Sequence, residues 1–221
     1  MAIPTSGYPS SQTVIYPESD GKPMADNTRQ TRWIIAFYNN LRAILRDRVA
    51  FVAADIFWYP VEGNPKIVVA PDVLVALGRP DGDRGSYKQW EEEGQPPDVV
   101  IEVLSLSNHY VEMINKLDFY NSYGVQEYLV IDPDREVFVG YVRKNGLLTK
   151  DGSDEGWTSP LLQFSIRKQD HELVAFKPDS KPFKTFEELE AEAEDAQQRY
   201  LSAQQEIERL KAALKDKDNK G

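Results

Sequence analysis

Two carboxylates stand in hydrophobic stretches of this chain, and they are its first sign of chemistry. Asp72 follows a proline at the start of an apolar, strand-like run, and Glu102 lies inside the run 99–104, which is typical of a strand buried on both faces. A buried carboxylate is costly unless a cation, a metal ion or a proton neutralises it. If the two strands pair, both acids converge at one end of a sheet, where a hard cation with oxygen ligands explains them better than two separate structural roles.

Lys116 is the third candidate in this set. The helix predicted after Glu102 begins where the Glu102 strand ends, so a lysine one to two turns along it can lean back over that strand. A single lysine is more often a solvated surface residue. Its convergence with Asp72 and Glu102 is what makes Lys116 a candidate.

Composition narrows the chemistry further. The 221 residues include no cysteine and only two histidines, His109 and His171. Disulfides, thiol catalysis, thiolate zinc sites and multi-histidine metal centres are therefore excluded. The glycine-rich dinucleotide and phosphate-loop motifs and the Gly-x-Ser-x-Gly elbow are also missing. Any reaction must use Asp, Glu, Lys and Tyr side chains, with or without a divalent ion.

Charge and hydropathy bear on where the protein is located and on whether it contacts nucleic acid or a membrane. The net charge of −10 argues against a protein that coats nucleic acid, although an enzyme with a local basic cleft is compatible with it. No run approaches the roughly 20 apolar residues of a membrane span. The N-terminal stretch 1–12 lacks the basic start and apolar core of a signal peptide. We expect a soluble, cytoplasmic protein without membrane contact.

The chain divides into three predicted segments: an arm at 1–27, rich in Pro, Ser and Gly, an α/β domain at 28–183 and a helical tail at 184–221. The domain begins with an amphipathic helix capped by Asp26 or Asn27. Strand-like runs and a second helix follow, with a hairpin turning at Asn145-Gly146. The predicted strands are 51–59, 66–70, 72–77, 99–104 and 127–132; 78–97 is predicted as a surface loop, and the second helix as ending at Gly124.

The tail has a heptad pattern over 186–214. Thr185 and Glu188 form a capping box at its start. The apolar heptad positions are Phe186, Ala193, Tyr200, Ile207 and Leu214 at a, with Leu189, Ala196, Ala203 and Leu210 at d. A lone charged helix lying on the domain is one interpretation. A coiled-coil homodimer is favoured, because a single helix of this kind is only marginally stable alone.

Three stretches together resemble the Uma2 family of endonucleases: "VAPDVLVAL", "PDVVIEVLSLSN" and "NKLDFYNSYGVQEYLVIDPD". This family lies in the restriction-endonuclease-like superfamily, which carries the PD-(D/E)xK signature. The resemblance covers about residues 16–176 and implies an α/β fold, with a mixed central sheet flanked by helices. The usual lysine position, two residues after the Glu, is occupied here by Leu104. The family resembled places its lysine on the following helix, at Lys116.

The resemblance also implies an activity. It implies a Mg²⁺-dependent endonuclease that hydrolyses DNA to 5′-phosphate and 3′-hydroxyl ends, with Mn²⁺ as a possible substitute. Asp72, Glu102 and the Val103 carbonyl would be the metal ligands, and Lys116 would orient the attacking water. Related nucleases often add an acid near the first helix, for which Glu18 is the nearest candidate, and often have a histidine near the position of Gln30.

Two alternatives remain open. One is a catalytically inactive, nuclease-like interaction protein that works through its coiled coil; the acidic balance and the missing histidine favour it slightly. The other is a nuclease acting on RNA or branched DNA. The intact set of Asp72, Glu102 and Lys116 favours the active enzyme more strongly, because a degenerate site has no chemical need for all three.

Overall fold

The computed structural model of the protein describes residues 14–19, 21, 25, 27–105, 110–170 and 172–218. An α/β unit extends to Pro182, and a separate helical unit begins at Phe183. The helices are α1 (Thr28–Ile44), α2 (Tyr110–Tyr123) and α3 (Phe186–Asp218), with a 3₁₀ turn at Gln89–Glu92. The strands are β1 (Ala50–Ala54), β2 (Phe57–Tyr59), β3 (Val73–Leu77), β4 (Ser86–Lys88), β5 (Val99–Val103), β6 (Glu127–Asp132), β7 (Val137–Lys144), β8 (Leu147–Asp151), β9 (Gly156–Thr158), β10 (Ser165–Gln169) and β11 (Glu172–Phe176).

A six-stranded mixed sheet forms the centre of the α/β unit, with the strand order β1–β3–β5–β6–β7–β8. Only β5 and β6 are parallel among its neighbouring strands, and α2 connects them, as a parallel pair requires a crossover. The other neighbours are antiparallel. The mixed sheet with its helices confirms the predicted fold class. A parallel β2–β4 pair and a three-stranded sheet of β9 to β11 complete the unit.

Helix α1 begins at a side-chain cap. The Asn27 side chain accepts a hydrogen bond from the Gln30 backbone N–H at 2.9 Å, which confirms Asn27 as the N-cap; Asp26 lies outside the described residues. The apolar side of the helix packs on the sheet, and its fully buried side chains are Ile34, Phe37 and Leu41. This packing fixes the first turn, with Gln30, over the central strands.

Buried aromatic rings fix α2 against the sheet. Tyr120 of α2 and Trp58 of β2 are completely buried, and their rings stack with an interplanar angle of 6° at 6.1 Å. Tyr128 of β6 meets the Tyr120 ring edge-on at 4.9 Å. Burying a large apolar side chain contributes about 1.5–3 kcal/mol, so these contacts hold α2 firmly in place.

Two strand predictions were wrong. The run 51–59 is not one strand, because Asp55 adopts a left-handed conformation (φ 48°) and separates β1 from β2, which lie in different sheets. The run 66–70 is not a strand either. It forms only an isolated bridge between Val69 and Trp58, after a turn in which the Ile67 N–H bonds to the Asn64 carbonyl.

The prediction of 78–97 as a surface loop was also wrong. This segment contains β4 and the 3₁₀ turn, and its Tyr87 side chain is completely buried. The three-residue strand is too short to show a period in the sequence. The hairpin prediction is confirmed: β7 and β8 pair across Asn145 and Gly146, both with positive φ, as this tight turn requires.

Helix α3 is continuous, and its capping box is confirmed. The Thr185 N–H donates to the Glu188 carboxylate at 2.9 Å, and the Glu188 N–H donates to the Thr185 hydroxyl at 3.3 Å. Apolar heptad side chains are exposed within this unit; Phe186 is 62% and Tyr200 63% exposed. Within the described residues, none of the helices is both long and apolar enough to cross a membrane.

Candidate active site

The register of two central strands places Asp72 beside Glu102. β3 and β5 are antiparallel, with Val73 opposite Ile101. Asp72 precedes Val73, and Glu102 follows Ile101, so both carboxylates lie at the same edge of this strand pair. The prediction that these strands pair and bring the two acids together is confirmed.

β5 extends beyond its pairing with β3, and side chains complete the hydrogen bonding there. The Leu104 N–H faces β6 and bonds to the Ile131 carbonyl, so the backbone groups of Val103 face the β3 side. The Val103 N–H donates to Asp72 Oδ2 at 2.6 Å. Gln30 Nε2 donates to the Val103 carbonyl at 2.7 Å. Asp72 and Gln30 therefore act in place of a neighbouring strand.

Glu102 is held by two side chains from one face of α2. It is 1% exposed, and its carboxylate accepts one bond on each oxygen. Lys116 Nζ donates to Oε2 at 2.7 Å, and the Tyr120 hydroxyl donates to Oε1. The two donors are four residues apart, which places them on successive turns. An ammonium group and a phenol therefore stabilise this buried carboxylate.

The cluster places two carboxyl groups and one ammonium group close together, and each affects the pKa of the others. Burial raises the pKa of the Asp72 carboxyl well above its usual range, and the charge of Glu102 raises it further; the Val103 N–H and Lys116 act in the opposite direction. Burial lowers the pKa of the Lys116 ammonium, but Glu102, Asp72 and Glu112 together raise it by more, so its net pKa is raised. Lys116 is therefore a cation, and its ammonium lies 2.7 Å from Glu102 and 4.0 Å from Glu112.

Sequence reasoning missed two contributors. Tyr120 follows Lys116 by one helical turn, and that spacing was the signal that could have identified it. Asp55 lies exposed at the end of β1; its N–H bonds to the Asp72 carbonyl at 3.2 Å, and its charge helps raise the Asp72 pKa. No pattern in the sequence could have identified Asp55, because it becomes a neighbour of Asp72 only through the pairing of β1 with β3.

Glu18 is not part of this cluster. Its exposed carboxylate packs against Gly85, where an added Cβ would lie 2.0 Å from the Glu18 carboxyl carbon. Gly85 lies just before β4. The Glu18 carboxylate thus lies against the segment before β4.

The donor atoms of the cluster fit a hard divalent cation. Asp72, Glu102 and the Val103 carbonyl offer oxygen only, and a bound cation would stabilise the charged form of Asp72, which burial and Glu102 disfavour. The described residues contain no group of three or more His, Cys, Asp or Glu side chains placed to hold a metal ion. Mg²⁺ binds through one or two carboxylates and keeps several waters, so a two-carboxylate site suits it.

Asp55 is one of the residues that line a cleft of about 420 Å³. Asp72, Glu102 and Lys116 are not among the residues that line this cleft. Its arginines already have partners. Arg42 pairs with Asp81 at 2.7 Å, and Arg84 pairs with Glu92 at 2.6 Å. The cleft is therefore a neighbouring feature of the surface and not the centre of the acid–lysine chemistry.

Comparison with known families identifies the domain. The sequence model of the Uma2 family, described as "Putative restriction endonuclease", matches residues 13–167, more than half of the chain. The chain belongs to the Uma2 family. The resemblance predicted from the three sequence stretches is confirmed, and nuclease is the function class that Uma2 membership supports.

Other comparisons add less. A solved structure described as a putative nuclease belonging to DUF820, from Anabaena variabilis ATCC 29413, is similar to the chain at 16% identity. The similarity covers 64% of this chain and 77% of that one, with a TM-score of 0.47. No curated protein matches the chain.

Proposed function

We propose that the chain is a Mg²⁺-dependent endonuclease that hydrolyses phosphodiester bonds in DNA, with Mn²⁺ as a substitute ion. The observation that supports this most is the pairing of the partly buried Asp72 with the buried Glu102, close to the ammonium of Lys116. A structural ion pair needs one acid and one base. Burial and Glu102 disfavour the charged form of the second acid, Asp72, and a divalent cation would stabilise it. Nuclease is also the function class that Uma2 membership supports.

Asp72, Glu102 and the Val103 carbonyl would hold the cation. Once bound, the ion would lower the pKa of a coordinated water and reduce the negative charge on the phosphate. The Val103 N–H fixes Asp72, and Gln30 fixes the Val103 carbonyl, so these oxygens need little rearrangement to bind.

Lys116 would supply the positive charge from the protein. Its ammonium is anchored on Glu102, and 19% of its side chain remains exposed, so it is accessible from the solvent side of the cluster. A fixed cation at this position orients the attacking water and stabilises negative charge that develops on the phosphate oxygens. Glu102 keeps Lys116 protonated and in place.

The first test is cleavage of supercoiled plasmid DNA, with RNA and branched DNA as further substrates, in Mg²⁺ and in Mn²⁺. Glu102→Gln and Lys116→Ala should each lower the rate by about 10²–10³-fold, because each removes a charge from the site. Lys168→Ala, which changes an exposed lysine on β10, is the matched control and should cut like the wild type. Equal cutting by all four proteins would contradict the proposed site.

A second candidate function is a catalytically inactive, nuclease-like protein that interacts through α3 as a homodimer over residues 186–214. The exposed apolar side chains of α3, such as Phe186 and Tyr200, favour it. Thermal unfolding separates the two candidates, because an ion that binds only the folded state raises the unfolding midpoint. A rise with millimolar Mg²⁺ or Mn²⁺ that Glu102→Gln abolishes supports the nuclease. The same midpoint with and without metal supports the interaction protein.

A further inference from the structure

We propose that Tyr120 is a positioning residue whose hydroxyl holds Glu102 in the orientation that receives the metal ion. This inference rests on the proposed nuclease function. The Tyr120 side chain is completely buried, and its hydroxyl donates to Glu102 Oε1. The phenol approaches the carboxylate from inside the protein, whereas Lys116 retains some exposure to solvent.

The Tyr120 ring cannot easily move. One face stacks on Trp58, with centroids 6.1 Å apart and an interplanar angle of 6°, and Tyr128 meets the ring at 4.9 Å. Trp58 is itself completely buried, and its indole N–H bonds to Gln89. Because the ring is held in place, its hydroxyl has a fixed position. The hydrogen bond from this hydroxyl therefore fixes the orientation of the Glu102 carboxylate.

Lys116 alone does not provide this constraint. Its ammonium is a point charge on a flexible four-carbon chain, and it contacts the other oxygen, Oε2. A carboxylate held only at Oε2 can pivot about that contact. With Tyr120 on Oε1, both oxygens are fixed, and each keeps acceptor capacity for a further ligand. Tyr120 thus acts on the metal site through Glu102 and touches neither ion nor substrate.

The structure offers a matched control for the test. Tyr128 lies against Tyr120 and is 1% exposed, yet its hydroxyl is buried without a hydrogen-bond partner among the described residues. Tyr120→Phe and Tyr128→Phe therefore remove the same atom from adjacent rings. Only the first change takes a hydrogen bond from Glu102.

The measurement is Mn²⁺ affinity of the full-length protein by isothermal titration calorimetry, at a temperature where every variant is folded. Outer partners of metal ligands typically change metal affinity by about 10–100-fold, and we expect a loss of that size in Tyr120→Phe. Tyr128→Phe should bind Mn²⁺ like the wild type. A purely structural role for the Tyr120 hydroxyl would lower the unfolding midpoint of Tyr120→Phe but leave its Mn²⁺ affinity unchanged.

The outcomes separate this inference from the function on which it rests. Wild type without Mn²⁺ binding overturns both. Wild type that binds, with Tyr120→Phe binding equally well, overturns the positioning role alone. If Tyr120→Phe does not fold, the hydroxyl proton of Tyr120 in the wild type is the second readout by NMR. It should be protected from solvent exchange and shift when Mg²⁺ is added, and an unshifted resonance would overturn the inference.

Discussion

At the scale of single residues, the hydrogen-bond partners of a buried carboxylate distinguish an acid with a structural role from an acid with a proposed role in the reaction. Asp98, at the opposite end of β5 from Glu102, accepts the Leu77 N–H at 2.7 Å and the Gln95 side chain at 3.0 Å. Glu127 accepts the Leu161 N–H at 2.7 Å. These neutral donors tie loops and strands together. Glu102 differs because a lysine serves it and a second acid lies beside it.

The pH dependence of stability should reveal the structural acids. Burial raises the pKa of the Asp98 carboxyl, although the Leu77 N–H and Gln95 partly offset this. The folded state therefore holds the proton more tightly than the unfolded state. This contribution is most favourable below the ordinary pKa of about 4, and the free energy of unfolding declines as pH rises through the raised folded value.

Asp98→Asn should therefore flatten that decline above about pH 4, because it removes the titrating group. Urea unfolding at a series of pH values measures the slope. Glu172→Gln, which changes an exposed acid on β11, is the control and should keep the wild-type slope. A slope unchanged in Asp98→Asn would contradict the assignment.

Sequence patterns identified Asp72, Glu102 and Lys116 as neighbours because strand and helix periods dictate where those side chains point. The same patterns could not show which carboxylate oxygen Lys116 contacts. They also missed the hydrogen bond from Tyr120, since a tyrosine in an apolar stripe looks like an ordinary core residue. Hydrogen bonds between elements depend on tertiary distances, which no local period contains.

At the scale of elements, the unit β5–α2–β6 builds the site. The parallel pair requires a crossover, and its helix carries Lys116 and Tyr120 over the strand that carries Glu102. This unit was predictable, because its strands are apolar and Gly124 follows the last residue of its helix. β2 and β4 were not, because three-residue strands lack a readable period and pair through contacts distant in the chain.

Helix α1 contributes to the site through Gln30, and replacing the Gln30 side chain should have two effects. Gln30→Leu leaves the Val103 carbonyl without its donor, which should lower the free energy of unfolding by about 1–3 kcal/mol. Cleavage should fall as well, since that carbonyl is a proposed metal ligand. Gln30→His, which retains a ring N–H donor, should lose less of both.

Urea unfolding and plasmid cleavage measure these two effects. Gln126→Leu is the matched control, because the Gln126 side chain makes an exposed bond to the Gly124 carbonyl. It should behave like the wild type in both assays. A Gln30→Leu protein with wild-type stability and rate would show that the bond to Val103 contributes nothing.

At the scale of the whole molecule, the α/β unit and α3 are separate units. The α/β unit buries its own core, whereas α3 has exposed apolar side chains repeating at heptad spacing. An isolated helix with such a stripe gains stability from a partner helix. A second copy of the same chain supplies an identical stripe, which supports the proposed homodimer.

Charged residues placed in the apolar stripe of α3 should make that dimer dissociate. Ile207→Glu combined with Leu210→Glu changes two exposed residues of α3 and should leave the α/β unit folded. Sedimentation equilibrium should give a dimer for the wild type and a monomer for this variant. Gln198→Glu with Gln205→Glu adds the same charge outside the stripe and should remain dimeric. One mass for all three proteins would remove α3 as the dimer interface.

The bond between the Val103 N–H and Asp72 has one more consequence. Most amides in a central strand are protected from deuterium by a neighbouring strand, but this one is protected by a carboxylate at 2.6 Å. Its rate of hydrogen–deuterium exchange therefore depends on where Asp72 is and on what else the carboxylate binds. The protein thus contains its own reporter: a single backbone proton that registers whether Asp72 remains in place, in the absence of any substrate or label.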